Sequence, residues 1–100
     1  METYEVKLTP RALQDLDSIY AYIAQSLMEP DTALKLLSRL EDAIFSLEQL
    51  PQRGALRKTG AYANRSYRQL LIENYIAIYR VDEAHRQVIL LTVQYSHRKF

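Results

Sequence analysis

The sequence has 100 residues and a formal net charge of +1, which is enough chain for a single domain, over residues 1–100, with one hydrophobic core. Hydrophobic residues make up 48% of the chain and charged residues 25%, so disorder, collagen-like repeats and low complexity are excluded. The absence of Cys excludes disulfides and thiolate zinc sites, the two His residues are not clustered, and no apolar run is long enough to span a membrane. We therefore expect a cytoplasmic protein without a metal or cofactor.

The first half of the chain predicts a strand followed by a helix. Residues 4–8 alternate apolar and polar, with Tyr4, Val6 and Leu8 on one face, which is the period of a half-buried strand. Thr9 and Pro10 are typical of a helix N-cap and first helical position. Apolar residues then recur at helical spacing to about Gln25, namely Leu13, Leu16, Ile19, Tyr20 and Ile23.

A second helix is predicted from about Asp31, which we expect to cap it, to Leu50. Pro30 interrupts the first helical pattern, and Pro51 ends the second. The apolar positions are Ala33, Leu36 or Leu37, Leu40, Ile44, Leu47 and Leu50. The short connection predicts an antiparallel pair of helices whose joined apolar stripes need a further surface to cover.

The second half predicts a basic loop followed by three strands. Residues 51–64 contain both glycines and little apolar periodicity. Residues 67–73, 75–81 and 86–95 are rich in Tyr, Ile, Leu and Val and are separated by short turns at 74 and 82–85. The resulting order, β-α-α-β-β-β, predicts an α+β fold in which two antiparallel helices pack on one face of an antiparallel sheet.

Charge is distributed unevenly along the chain. Residues 1–50 carry four Lys or Arg against nine Asp or Glu, a net charge of −5, whereas residues 51–100 carry nine against three, a net charge of +6. This asymmetry favours an anionic partner for the C-terminal half, either nucleic acid or an acidic protein. The alternative is that positive and negative elements interleave in the folded molecule.

No metal-binding His pair, nucleophile elbow or phosphate-binding glycine loop is present, so the candidate chemistry falls to basic and aromatic residues. The candidates are Arg65, Tyr67 and Arg68 before and in the second strand, Tyr75 and Tyr79 in the third, and Tyr95, His97, Arg98 and Lys99 at the end of the last. We expect them to share one concave face. Such groups suit metal-free RNA cleavage, since Arg and Lys hold phosphate while Tyr or His moves protons. Tyr67, Tyr75 and Tyr79 are better explained as packing residues of their strands, whereas Arg57 and Lys58 are explained equally well as a solvated loop and as anion-binding residues.

Three segments together resemble the RelE/ParE toxin superfamily. They are residues 4–23 (YEVKLTPRALQDLDSIYAYI), 47–54 (LEQLPQRG) and 67–82 (YRQLLIENYIAIYRVD), and the closing VQYSHR of residues 93–98 fits the last strand and basic tail of the family. The resemblance covers nearly the whole chain and implies the same β-α-α-β-β-β fold. It also implies the toxin of a type II toxin–antitoxin pair, which arrests growth and is held inactive by a cognate antitoxin protein.

The resemblance implies two possible activities. RelE-like members cut mRNA on the ribosome without a metal, whereas ParE-like members poison DNA gyrase and are not nucleases. The residues that match the ribonuclease sites, as candidate catalytic groups, are Arg68, Tyr95, His97 and Arg98. The candidates for binding RNA or a partner are Arg57, Lys58, Arg65, Arg80 and Lys99.

One position departs from the ribonuclease pattern. The third strand of the ribonucleases usually opens with Tyr-Arg or His-Arg, but this sequence has Tyr75 followed by Ile76. Arg80 has the same facing parity as Ile76 but lies about 13 Å further along the strand. This departure favours gyrase inhibition, with mRNA cleavage as the alternative and a degenerate toxin that retains only antitoxin binding as a third. For the antitoxin we expect an acidic amphipathic segment that wraps the toxin.

Overall fold

The structure, a computed structural model, describes residues 3–63 and 66–96. Helix α1 spans Pro10–Ala21, and the hydroxyl of Thr9 caps it by accepting a hydrogen bond from the Ala12 N–H at 3.1 Å. A π-helical turn, Tyr22–Ser26, follows α1, and helix α2 spans Pro30–Phe45. A 3₁₀ turn at residues 46–48 continues α2. None of the helices in the described part of the chain is both long enough and apolar enough to cross a membrane.

The two predicted helices are confirmed, but the cap of the second differs from the expectation. Asp31 lies inside the first turn of α2, and Glu29 occupies the N-cap position without a side-chain cap bond. Because Pro30 supplies the first helical residue, the cap moves one position before it. The carboxylate of Asp31 still lies at the positive end of the helix dipole.

Within the described residues five strands form one sheet. They are β1 (Glu5–Leu8), β2 (Ala55–Leu56), β3 (Arg68–Ile72), β4 (Tyr75–Asp82) and β5 (Gln87–Tyr95). Their order across the sheet is β1-β5-β4-β3-β2. The predicted arrangement of two helices on a sheet is therefore confirmed, with a two-residue strand, β2, added inside the segment expected to be a loop.

The sheet is mixed, whereas the sequence predicted a wholly antiparallel sheet. β3, β4 and β5 form an antiparallel meander, whereas β1 pairs with β5 in parallel. The helical hairpin and the remaining strands separate β1 from β5 in the chain, which allows parallel pairing because such a long connection can cross over the sheet.

Both helices cover one side of the sheet. On β4 the inward positions are Tyr75, Ala77, Tyr79 and Val81, which pack with Leu16 of α1 and Leu40 and Ile44 of α2. Side chains alternate along a strand, so Ile76, Ile78 and Arg80 point to the opposite side of the sheet. We call that side the outer face.

A β-bulge fits α1 against β5. Ile78 pairs with Thr92 and Tyr79 with Leu90, so Leu91 has no partner on β4. The Leu91 carbonyl instead accepts a hydrogen bond from the Thr9 hydroxyl at 2.8 Å. The same residue that caps α1 therefore also fixes this helix to the sheet.

Candidate functional site

The structure divides the candidate residues between the two sides of the sheet. Arg68 pairs with Tyr79 and Tyr75 pairs with Tyr95, so these four residues lie on the helix-facing side. Arg80 lies on the outer face. Four of the candidates expected to share one concave face therefore lie on the same side of the sheet. Tyr67, which precedes Arg68, does not join them, because neighbouring positions of a strand point in opposite directions.

Arg68 holds a loop in place. Its Nη1 donates to the carbonyl oxygen of Gly54 at 2.7 Å and, more weakly, to that of Gln52 at 3.5 Å. The chain corner that precedes β2 is thereby tied to β3. The guanidinium of this candidate catalytic residue is thus occupied by backbone carbonyls, and its role in catalysis stays a prediction.

The Tyr79 hydroxyl contacts the same corner of the chain at Gly54. It is fully buried and accepts a hydrogen bond from the Gly54 N–H at 2.8 Å. Burial raises the pKa of Tyr79, although the Gly54 N–H and the nearby Arg68 charge oppose the shift. The phenol is therefore protonated at neutral pH, and its contact with Gly54 is structural.

Arg57 organises the loop that follows β2. Its Nη1 donates to the side-chain oxygen of Gln69 at 2.9 Å, and its Nε donates to the carbonyl of Ala61. The side chain is only 9% exposed. Lys58, the next residue, is exposed. Of these two predicted binding residues, Arg57 is therefore built into the loop while Lys58 faces solvent.

Tyr75 and Tyr95 line a groove between the end of α1 and the end of β5. Their rings meet edge to face with centroids 5.7 Å apart. The groove has a volume of about 790 Å³, and Tyr22 and Leu27 of the π-helical turn and the residues after it form its other wall. Burial, followed by the neighbouring Tyr95 and Tyr22, raises the pKa of Tyr75. The groove is thus mainly apolar and lined by aromatic rings.

Asp15 is a residue at this groove that sequence reasoning missed. Its Oδ2 accepts hydrogen bonds from the Val93 N–H at 3.1 Å, from the Thr92 hydroxyl and, more weakly, from the Gln94 amide at 3.5 Å. β1 ends opposite Leu90, so no strand pairs with the edge of β5 beyond that residue. The Asp15 carboxylate accepts the hydrogen bond of the Val93 N–H on that edge. In the sequence Asp15 is an ordinary polar position of an amphipathic helix, so no signal marked it.

In the described part of the chain, the Tyr79 phenol lies near Arg68 but is buried and bonded to Gly54. His85, the only His within residues 3–63 and 66–96, lies in the β4–β5 turn with its Nδ1 2.9 Å from Oδ2 of Asp82. The same residues contain no cluster of His, Asp or Glu that could hold a metal ion. Four further candidates, Arg65, His97, Arg98 and Lys99, lie outside the described residues.

Comparison with solved structures places the fold in the RelE/ParE class of toxins. The chromosomal ParDE toxin–antitoxin system from P. aeruginosa contains a chain that is 26% identical, with a TM-score of 0.76 over 93% of this chain and 96% of that one. Two further structures share the fold. A chain of the RelBE2 toxin–antitoxin complex from Mycobacterium tuberculosis is 21% identical, with a TM-score of 0.66 over 93% of this chain and 98% of that one. A chain of the archaeal RelE–RelB complex from Pyrococcus horikoshii OT3 is 18% identical, with a TM-score of 0.64 over 96% of this chain and 98% of that one.

Residues 6–100 match the sequence pattern that describes the ParE toxin of the type II toxin–antitoxin system parDE. The chain therefore belongs to the ParE toxin family, and the resemblance to the RelE/ParE superfamily is confirmed. A search of curated protein sequences found no match.

Proposed function

We propose that this protein arrests bacterial growth by inhibiting DNA gyrase and that a cognate antitoxin neutralises it. The observation that carries the proposal is the match of residues 6–100 to the ParE toxin family. Its 26% identity to a chain of the chromosomal ParDE system from P. aeruginosa supports the same branch.

The geometry around β4 also favours gyrase inhibition over mRNA cleavage. At the position where the ribonucleases usually carry Arg, Ile76 lies on the outer face between Leu71 of β3 and Gln94 of β5. Arg68 points to the other side of the sheet and binds backbone carbonyls. An Arg-dependent ribonuclease needs a phosphate-binding cation, and neither Ile76 nor Arg68 supplies one to that part of the outer face.

The groove beside α1 supports the antitoxin part of the proposal. Tyr22, Leu27 and Tyr95 are 58%, 48% and 47% exposed, which is unusual for a contiguous set of large apolar side chains. The RelBE2 structure from Mycobacterium tuberculosis, to which the fold is similar, is a toxin–antitoxin complex. An apolar segment of the antitoxin fits this groove, with Tyr22 and Tyr95 as aromatic anchors.

Gyrase inhibition is tested with purified bacterial gyrase, relaxed plasmid and ATP. The protein is expected to stop supercoiling and to leave linear plasmid after the reaction is quenched with detergent and protease. A translation reaction with 5′-end mapping of a reporter mRNA runs in parallel. Uninhibited gyrase together with cuts inside translated codons refutes the proposal and identifies the ribosome-dependent ribonuclease instead.

The antitoxin groove is tested with two leucine variants of matched exposure. Leu27→Ala removes a groove side chain and is expected to weaken binding of the antitoxin encoded beside the toxin about tenfold, since burial of a leucine side chain contributes about 1.5–3 kcal/mol. Leu50→Ala removes a side chain that is 60% exposed but lies outside the groove. Equal affinities of both variants and the native toxin refute the placement of the antitoxin in this groove.

A further inference from the structure

A row of basic residues crosses the outer face. Lys7 of β1 pairs with Ile89 of β5, which pairs with Arg80 of β4. Arg68 pairs with Tyr79, so the preceding Tyr67 lies opposite Arg80. The Arg57 N–H donates to the Tyr67 carbonyl at 2.8 Å, which extends the row beyond β2. We call Lys7, Arg80 and Arg57 the basic row.

The backbone positions of the basic row follow the register of the sheet. Its members lie on every second strand of the sheet. Neighbouring strands are about 4.8 Å apart, so successive cations are about 10 Å apart and the row is about 19 Å long. A linear polyanion laid across the strands meets Lys7 and Arg80 and runs on toward the buried Arg57.

Lys7 and Arg80 are the members of the basic row that a ligand can reach. Within residues 3–63 and 66–96 the Arg80 guanidinium makes no hydrogen bond or salt bridge. Its charge interacts with that of Asp82, whose carboxylate is bonded to His85. Lys7 has Glu5 at 3.7 Å, but both side chains are more than half exposed, so this pair is weak and easily exchanged. Arg57 is buried and contributes its charge more than its donors.

Aromatic rings flank the row at one end. Tyr67 stands between Arg80 and Arg57, and its ring meets that of Tyr62 edge to face at 5.6 Å. Cations interleaved with aromatic rings on a sheet surface are typical of nucleic-acid binding, because phosphate meets the cations while sugars and bases contact the rings.

We propose that the basic row binds the phosphate backbone of DNA. The choice of DNA rests on the proposed function, because gyrase holds a DNA segment against which an inhibitor can lie. Charge complementarity supports it further, since duplex DNA presents one negative charge per about 1.7 Å along its axis and matches a row that follows the sheet register better than an irregular acidic protein surface. The outer face thus adds a DNA contact to whatever contact the toxin makes with gyrase itself.

The test measures the salt dependence of DNA binding by the toxin alone. Fluorescence anisotropy of a labelled duplex of arbitrary sequence is recorded between about 50 and 200 mM KCl. Each phosphate contact contributes about 0.9 to the slope of log affinity against log salt concentration. Arg80→Gln and Lys7→Gln are each expected to reduce the magnitude of the slope by about 0.9, which removes about a threefold effect over this range.

Lys35→Gln is the matched control. Lys35 is exposed on α2, in the helix layer on the opposite side of the sheet, and its substitution removes the same charge. The control is expected to keep the native slope. Equal slopes for the native protein and both row variants overturn the proposal, as does a row variant that weakens antitoxin binding while DNA binding is unchanged. Preferential displacement of the duplex by RNA also overturns it.

A second arm separates this proposal from the proposed function. The native protein and Arg80→Gln are compared in the gyrase reaction at low salt, where the variant is expected to need more protein for the same inhibition. If the native protein leaves gyrase unaffected but the row variants still reduce the salt slope, gyrase inhibition is refuted and the DNA-binding row is supported. If gyrase is inhibited and the slopes are unchanged, the row is refuted and the function stands.

Discussion

Replacing Gly54 by alanine is expected to destabilise the fold, because the added methyl group has no space. A Cβ atom at position 54 lies 2.5 Å from the carbonyl oxygen of Gln69 and 2.7 Å from the hydroxyl oxygen of Tyr79. The first of these atoms belongs to the backbone of β3 and cannot rotate away. Either the corner before β2 or the strand itself has to move.

The magnitude follows from three contributions. Overpacking a buried site costs about 1–3 kcal/mol, and loss of the bond from the Gly54 N–H to Tyr79 adds about 1 kcal/mol. Stiffening of the unfolded chain returns about 0.4–1 kcal/mol. The free energy of unfolding is therefore expected to fall by about 2–3 kcal/mol, which lowers Tm by about 10 °C or more in a domain of this size.

Urea unfolding followed by circular dichroism measures the loss. Ala55→Gly, the reverse exchange at the next position, which is exposed, is the control and is expected to cost no more than about 1 kcal/mol. In a Tyr79→Phe background the penalty of Gly54→Ala is expected to be smaller, because one of the two clashing oxygens is gone. A Gly54→Ala protein as stable as the native one refutes the reasoning.

Three further predictions concern side chains bonded to distant elements. Asp15→Ala is expected to lower the free energy of unfolding by about 2–3 kcal/mol, because buried donors of β5 lose their acceptor. The prediction is contradicted if the β5 amide that bonds Asp15 exchanges its hydrogen no faster in the variant than in the native protein. Arg57→Met is expected to open the loop at 57–63 to limited proteolysis, and an uncut loop shows that the guanidinium does not hold it. The His85 side chain lowers the pKa of Asp82 in the folded protein. The ionised carboxylate therefore stabilises the fold at pH values above the pKa of an ordinary aspartate. This stabilisation is lost as the pH falls through the lowered pKa of the folded state. His85→Ala is therefore expected to reduce the urea midpoint at about pH 6 and not at about pH 2, and equal reductions contradict the linkage.

Most of the fold could be predicted because most elements carry a local signal. The 3.6-residue spacing of α1 and α2, the alternation of β1 and the β-branched and aromatic residues of β3–β5 are local properties of the sequence. β2 could not be predicted, since a strand of two residues, Ala55 and Leu56, shows no alternation. The parallel pairing of β1 with β5 is also invisible locally, because it depends on which sheet edge the helical hairpin leaves open.

The candidate site was less predictable for a related reason. The sequence identified Arg68 as a notable cation, but its partners are backbone carbonyls of a corner 14 and 16 positions earlier. Backbone groups carry no residue signature, so nothing in the sequence marks this contact. The division between the two faces follows from strand alternation, which already places the adjacent Tyr67 and Arg68 on opposite sides.

The parallel pairing of β1 with β5 bears on how the molecule is made. Thr9, at the end of β1, bonds Leu91 of β5, and these residues are 82 positions apart. At a synthesis rate of about 5–20 residues per second, β1 waits about 4–16 s for its partner strand. Such distant pairing is slow in folding because a long loop must close first. Of the described strands, β1 is synthesised before the others but has no partner until β5 has been made, so the complete sheet cannot form before β5 is synthesised.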